Sequence, residues 1–113
     1  MKLDEIGETI AARKFTLPND TGGPSEVVAL LGKPRQLPDH TAYYCPYQIK
    51  GAGDEKVRYM CGIDELQALQ FAIRTLGVEL EVLNADLGQK LSWEGDDNGW
   101  LGIPDPPDGT SQR

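Results

Sequence analysis

The chain is poor in the residues that do chemistry. It holds one histidine, His40, and two cysteines, Cys45 and Cys61, in 113 residues. Two cysteines cannot build a structural zinc site without help from His or carboxylates. His40 lies in the proline-flanked stretch QLPDHTAYY. It reads as a solvated loop residue, because a general base needs a partner that orients it. No spacing supports a Ser-His-Asp, Cys-His or paired-carboxylate arrangement. Clustered Lys and Arg are also missing. Arg13-Lys14 and Lys33 to Arg35 stand apart, and 18 acidic against 11 basic residues give a net charge of −7. Phosphate backbones are bound by basic clusters, so no nucleic-acid partner is expected. No apolar run approaches the ~18 residues of a membrane-spanning helix, so no membrane role is expected. The opening MKLDEIGETIAARKF carries acids where a signal peptide is basic and apolar. The expected location is the cytoplasm, where cysteines are ordinarily reduced.

What is present reads as one domain over residues 1–104 with a tail at 105–113. TIAARKFTL (9–17), SEVVALLG (25–32), TAYYCPYQI (41–49) and KVRYMC (56–61) have the β-branched and aromatic content of strands. Gly, Pro, Asn and Asp mark the turns between them. The third and fourth strands flank the stretch KGAGDE. A phosphate loop would need G-x-x-x-x-G-K-[ST] or G-x-G-x-x-G before a helix, whereas this one leads into acids and a strand. It reads as a hairpin turn.

A three-residue turn at Ala52-Gly53-Asp54, with Gly53 left-handed, would set Ile49 opposite Val57, Tyr47 opposite Tyr59 and Cys45 opposite Cys61. A two-residue turn would set Ile49 against Lys56 and Tyr47 against Arg58. The apolar pattern selects the first, because a one-residue slip exchanges the faces of a strand. The two cysteines are then expected as buried cross-strand neighbours, free or in a reversible disulfide. Pro46 points to an edge position or a bulge.

After Gly62 the period changes from two to three and four. Asp64 and Gln67 form a capping-box pattern. Leu66, Leu69, Ile73, Leu76, Leu80 and Leu83 fall on one helical face. The helix ends at Asn84 or at Gly88, and Gly77 within it calls for close packing or marks an earlier end. Phe71 and Val78, near Gln67 and Arg74 on the opposite side and with Val82 close by, make the helix apolar on two sides. Their cover could come from Trp93 and Trp100 or from a second protein. Leu91–Trp93 and Trp100–Ile103 read as short extended pieces around a turn at 96–99. The GDDNG of that turn bears a slight likeness to a calcium loop but lacks the ligand spacing. The fold class is therefore α+β: an antiparallel sheet of about four to six strands with one long helix on one face, in the order β-β-β-β-α-β.

CPYQIKGAG, GIDELQALQFAIRTLG, LSWEG and GWLGIP together resemble a family of small, mostly bacterial domains of unknown function. Its pattern is a Cys-Pro-aromatic-x-Ile strand, a Gly-x-Asp-x-x-Gln-Ala-Leu helix start and a closing Gly–apolar–Pro segment. Cys45, Pro46, Tyr47, Ile49, Gly62, Asp64, Gln67, Ala68, Leu69, Trp93, Gly102 and Pro104 carry the match, which spans residues 10–104. The resemblance implies an intact single domain and brings no activity. Some small acidic bacterial proteins of this kind are immunity proteins, which is an analogy only.

The functional expectation is a non-catalytic protein-interaction domain without cofactor or metal. Phe71, Arg74 and Val78, with Trp100, form its candidate contact surface for a protein partner, a second copy of the chain included. Two alternatives stand beside it. One is an immunity or inhibitor protein that caps a basic effector. The other is a small-molecule binder using Tyr43, Tyr44, Tyr47 and Tyr59 around a pocket.

Overall fold

The structure is a computed structural model that describes residues 1–19, 22–93 and 101–103. Five strands, β1 (Thr9–Leu17), β2 (Ser25–Gly32), β3 (Arg35–Gln36), β4 (Tyr43–Lys50) and β5 (Arg58–Gly62), precede one helix, α1 (Glu65–Asp86). All strand pairings are antiparallel: β1 with β2, β2 with β4, and β4 with both β3 and β5. β3 is too short for a sequence pattern to announce. It continues β2 along the same side of β4 after a one-residue slip, since Val28 faces Lys50 but Arg35 faces Tyr44. By the first of these registers Gly32 would face Pro46, and a Cβ on Gly32 would meet the proline ring at 2.6 Å. Pro46 thus occupies a central strand at the interruption of its neighbour, where a missing N–H costs least.

Alternation puts Phe15, Val27, Ala29, Leu31, Cys45 and Tyr47 on one buried face. α1 lies across β4 and β5 and only its margin reaches β2. Ala68, Ala72, Leu76 and Leu80 are its buried line. Leu91 and Leu101 complete the core on the side of β1. The helix begins with a near variant of its capping box: Gln67 N–H donates to Asp64 Oδ1 at 2.8 Å, and the Gln67 side chain accepts at 2.8 Å from the N–H of Ile63, one residue before the cap. Its end is the later of the two candidates. Gly88 is left-handed (φ 77°), and Gln89 N–H donates back to the Asn84 carbonyl at 2.8 Å. Asn84 itself is buried and accepts from Leu91 N–H at 2.9 Å, which turns the chain toward β1. There Ser92 exchanges two backbone hydrogen bonds with Thr16, a single bridge where a closing strand was expected. The turn at 96–99 and the tail at 105–113 lie outside the described residues.

Three expectations are corrected. The β4–β5 register pairs Tyr47 with Arg58, Pro46 with Tyr59 and Cys45 with Met60, one residue away from the alignment chosen on apolar pattern. Gly62 explains the choice. A Cβ there would meet the Ala68 nitrogen at 2.4 Å, so this position has to lie beneath the helix, and the expected register turns it away. The connection, residues 51–57, is also longer than a tight turn and holds left-handed Gly51, Gly53 and Glu55. Second, Cys61 pairs with Tyr44, not Cys45, and projects from the opposite face. Cys45 is buried, Cys61 is exposed, and both are free thiols. Third, Leu66 is 64% exposed and does not belong to the core face. The helix meets the sheet through small Ala68 and Ala72 at that end, which rolls Leu66 out.

Candidate functional site

The β4–β5 register places Arg58 and Tyr47 side by side beneath α1. Glu79 descends to them from the helix. Tyr47 Oη donates to Glu79 Oε2 at 2.6 Å, and Arg58 Nη1 stands 3.8 Å from Glu79 Oε1. Arg58 also grips Asp54 with both guanidinium nitrogens, at 2.8 and 3.2 Å. Burial, reinforced by the Glu79 carboxylate, pushes the Tyr47 phenol well above its ordinary range. The Arg58 fork holds Asp54 down to about 2, and Asp54 in turn raises the guanidinium.

The loop after β4 wraps this cluster. Gly51 N–H donates to Glu55 Oε2 at 3.1 Å, and Gln48 Nε2 donates to the Glu55 carbonyl at 2.8 Å. Between loop and helix opens a cleft of about 390 Å³, floored by Ile49, Ala52, Val82 and Leu83. Asp54, Glu55, Glu79 and Asp86 rim it against the single cation Arg58. The last turn of α1, which ends here, carries no basic residue to offset the negative end of the helix dipole. The cleft is therefore electronegative, suited to a cation and not to an anion. It holds neither cysteine nor His40. Among the described residues no group of three or more His, Cys, Asp or Glu is placed to hold a metal ion.

Along α1, Phe71, Arg74 and Val78 share the side turned away from the sheet, at about 100° per residue. Phe71 is half-buried, Arg74 exposed, and Val78 48% exposed; Val82, 58% exposed, carries the apolar strip to the cleft. The described residues that follow α1 pack on its other flank and on β1. The Ile103 side chain packs on Gly77, where a Cβ would stand 2.4 Å from its Cγ2. Trp93 stacks under the Arg13 guanidinium at 4.3 Å and against Gly102. Trp100 lies outside the described residues. The four tyrosines are divided between the two faces of the sheet: Tyr44 and Tyr59 meet edge to face at 5.8 Å on the face opposite Tyr47, and Tyr47 and Tyr59 line a cleft of about 340 Å³ with Met1, Lys2 and Leu3.

Sequence reasoning placed Phe71, Arg74 and Val78 on one side of α1 and missed the cleft. Asp54 and Arg58, four apart, were a visible clue; nothing local connects Glu79 to either. His40 is exposed, as expected, with Nδ1 2.8 Å from Gln36 Oε1. Among the described residues no helix is long and apolar enough to cross a membrane. No curated protein and no solved structure matches the chain. A family model does, over residues 11–105, nearly the whole sequence. The chain belongs to the family described as Domain of unknown function (DUF6968).

Proposed function

We propose that this domain is a non-catalytic protein-interaction module of the cytoplasm, and that its contact surface is the strip of α1 formed by Phe71, Val78 and Val82 with Arg74 at its border. The observation that carries this reading is the exposure of Val78 and Val82 on a helix whose opposite side already fills the core. Covering one such side chain is worth about 1–1.5 kcal/mol from apolar area alone. Aromatic and Arg residues at its edge are the types that interfaces favour. The test is affinity capture with wild type and Val78→Glu, which keeps the fold because the side chain is half in solvent. The reading expects an associated protein, a second copy included, that the variant loses. Equal capture by both would contradict it.

A second reading has its own observation. The electronegative cleft at the end of α1, on a chain of net charge −7, suits the Lys or Arg of a basic effector. Capture by this route weakens steeply with added salt, because steering by charge is screened.

A further inference from the structure

The face of the sheet turned away from α1 is not bare. Alternation along β4 puts Pro46, Gln48 and Lys50 on it, while Cys45 and Tyr47 face the helix. An uncovered outer face leaves its side chains in water, yet Pro46 is less than 2% exposed. Its cover is the segment that precedes β1. A Cβ on Gly32 would meet the Pro46 ring at 2.6 Å, and the Ile6 Cγ1 and carbonyl oxygen each at 3.0 Å, so Ile6 sits over Gly32 against the proline. From there the segment continues across β4 toward the start of β5. Asp4 and Glu5 line a cleft with Gln48 and Lys50, and Lys2 and Leu3 line others with Val57 and Tyr59.

This cover is lightly held. Residues 1–8 belong to no helix or strand. Among the described residues their backbone makes one hydrogen bond, which the Glu8 carbonyl accepts from Lys33 N–H at 2.9 Å. Leu3 and Ile6 are half-buried, and the rest of the segment is exposed. The clefts along it, of about 340, 440 and 480 Å³, leave Ile6 as its closest seat on the sheet. Ordering a segment costs entropy at every residue, and two half-buried apolar side chains offset little of that.

The joint between the loose part and the fixed bond is Gly7. It is left-handed (φ 77°), and a Cβ there would find only the Arg35 side chain within reach, at 3.6 Å. A glycine with open space around it absorbs backbone rotation freely, which suits a hinge.

We infer that residues 1–6 are a strap, seated by Ile6 on Pro46, that lifts about Gly7 and uncovers a second surface formed by Pro46, Gln48, Val57 and Tyr59. This goes beyond the interaction reading, because the surface lies on the side of the sheet away from α1 and does not involve Val78. Closed, the strap is the resident occupant of the face and bars other chains from it. Lifted, it leaves a proline, a valine and a tyrosine open to solvent. The hydrogen bond at Glu8 lies beyond the hinge and survives the motion.

A nitroxide attached to Lys2→Cys, in a chain that also carries Cys61→Ser, reads the strap through paramagnetic broadening of amide signals. With Ile6 in place, Gln48, Val57 and Tyr59 should be broadened, and warming below the unfolding transition should weaken the effect reversibly. Ile6→Asp should abolish it while the Lys33 amide and the β2 amides bonded to β4 stay protected from exchange. The dye ANS, which binds exposed apolar surface, should bind Ile6→Asp more than the parent chain. No broadening at Val57 and Tyr59 would mean that the strap does not close there. Broadening that persists up to global unfolding, or an Ile6→Asp chain that no longer folds, would make the segment a fixed part of the fold and overturn the inference. Equal dye binding would mean that no surface is uncovered, and would overturn it too.

Discussion

Cys45 and Cys61 show how far one residue type can diverge within a hairpin. Cys45 donates its thiol to the Gly32 carbonyl at 3.3 Å, and burial pushes its pKa up to about 11. Cys61 is exposed on the other face. A thiol reagent at pH 8 should therefore count one cysteine in the native protein and two after denaturation. Two in the native state would mean that Cys45 is not buried.

Tyr47 yields a prediction in pH. Its folded pKa lies above the unfolded value of about 10, so folding favours the neutral phenol. The stability this contributes is present below about pH 10 and is lost as pH rises toward the folded value. Tyr47→Phe should cost about 1.5–3 kcal/mol at neutral pH, the worth of a hydrogen bond to a charged group, and should flatten the alkaline loss of Tm. Asp54 behaves in the opposite sense. Held down to about 2 by Arg58, it supports the fold above its unfolded value of about 3.9 and loses that support as pH falls toward 2. In Arg58→Ala its pKa, followed by NMR, should return toward the unfolded value. Pairing at this scale was poorly legible in the sequence. The alternation of β5 was visible, but its face depends on Glu79 and Ala68, which arrive from a helix formed later in the chain.

Elements were far more legible than their register. The spans of β1 and β2, the capping box of α1 and the glycine that ends it follow from local chemistry: side-chain branching, hydrogen bonds three residues apart, and a left-handed residue. The helix face was read less well, because leucine spacing alone ignores where small residues permit close approach. Two substitutions separate the readings. Gly62→Ala drives a Cβ into the backbone of α1 and should cost about 2–3 kcal/mol in denaturant unfolding. Leu66→Lys, at a position 64% exposed, should change stability by no more than about 0.5 kcal/mol. A large loss for Leu66→Lys and none for Gly62→Ala would restore the leucine face.

For the molecule as a whole, the features that bear on a partner are the net charge of −7 and the strip on α1. Val78 and Val82 are exposed on a helix whose other side fills the core. The sequence contained Phe71 and Val78 as an apolar pair on that outer side. It could not show the cleft at the end of the helix, because that depends on Glu79 meeting Arg58 across a register set by strand pairing.

Affinity capture with wild type and Val78→Glu tests the central claim most directly, because Val78 is 48% exposed and its substitution leaves the core untouched. The account predicts an associated protein that wild type retains and the variant loses. Equal capture by both would contradict it.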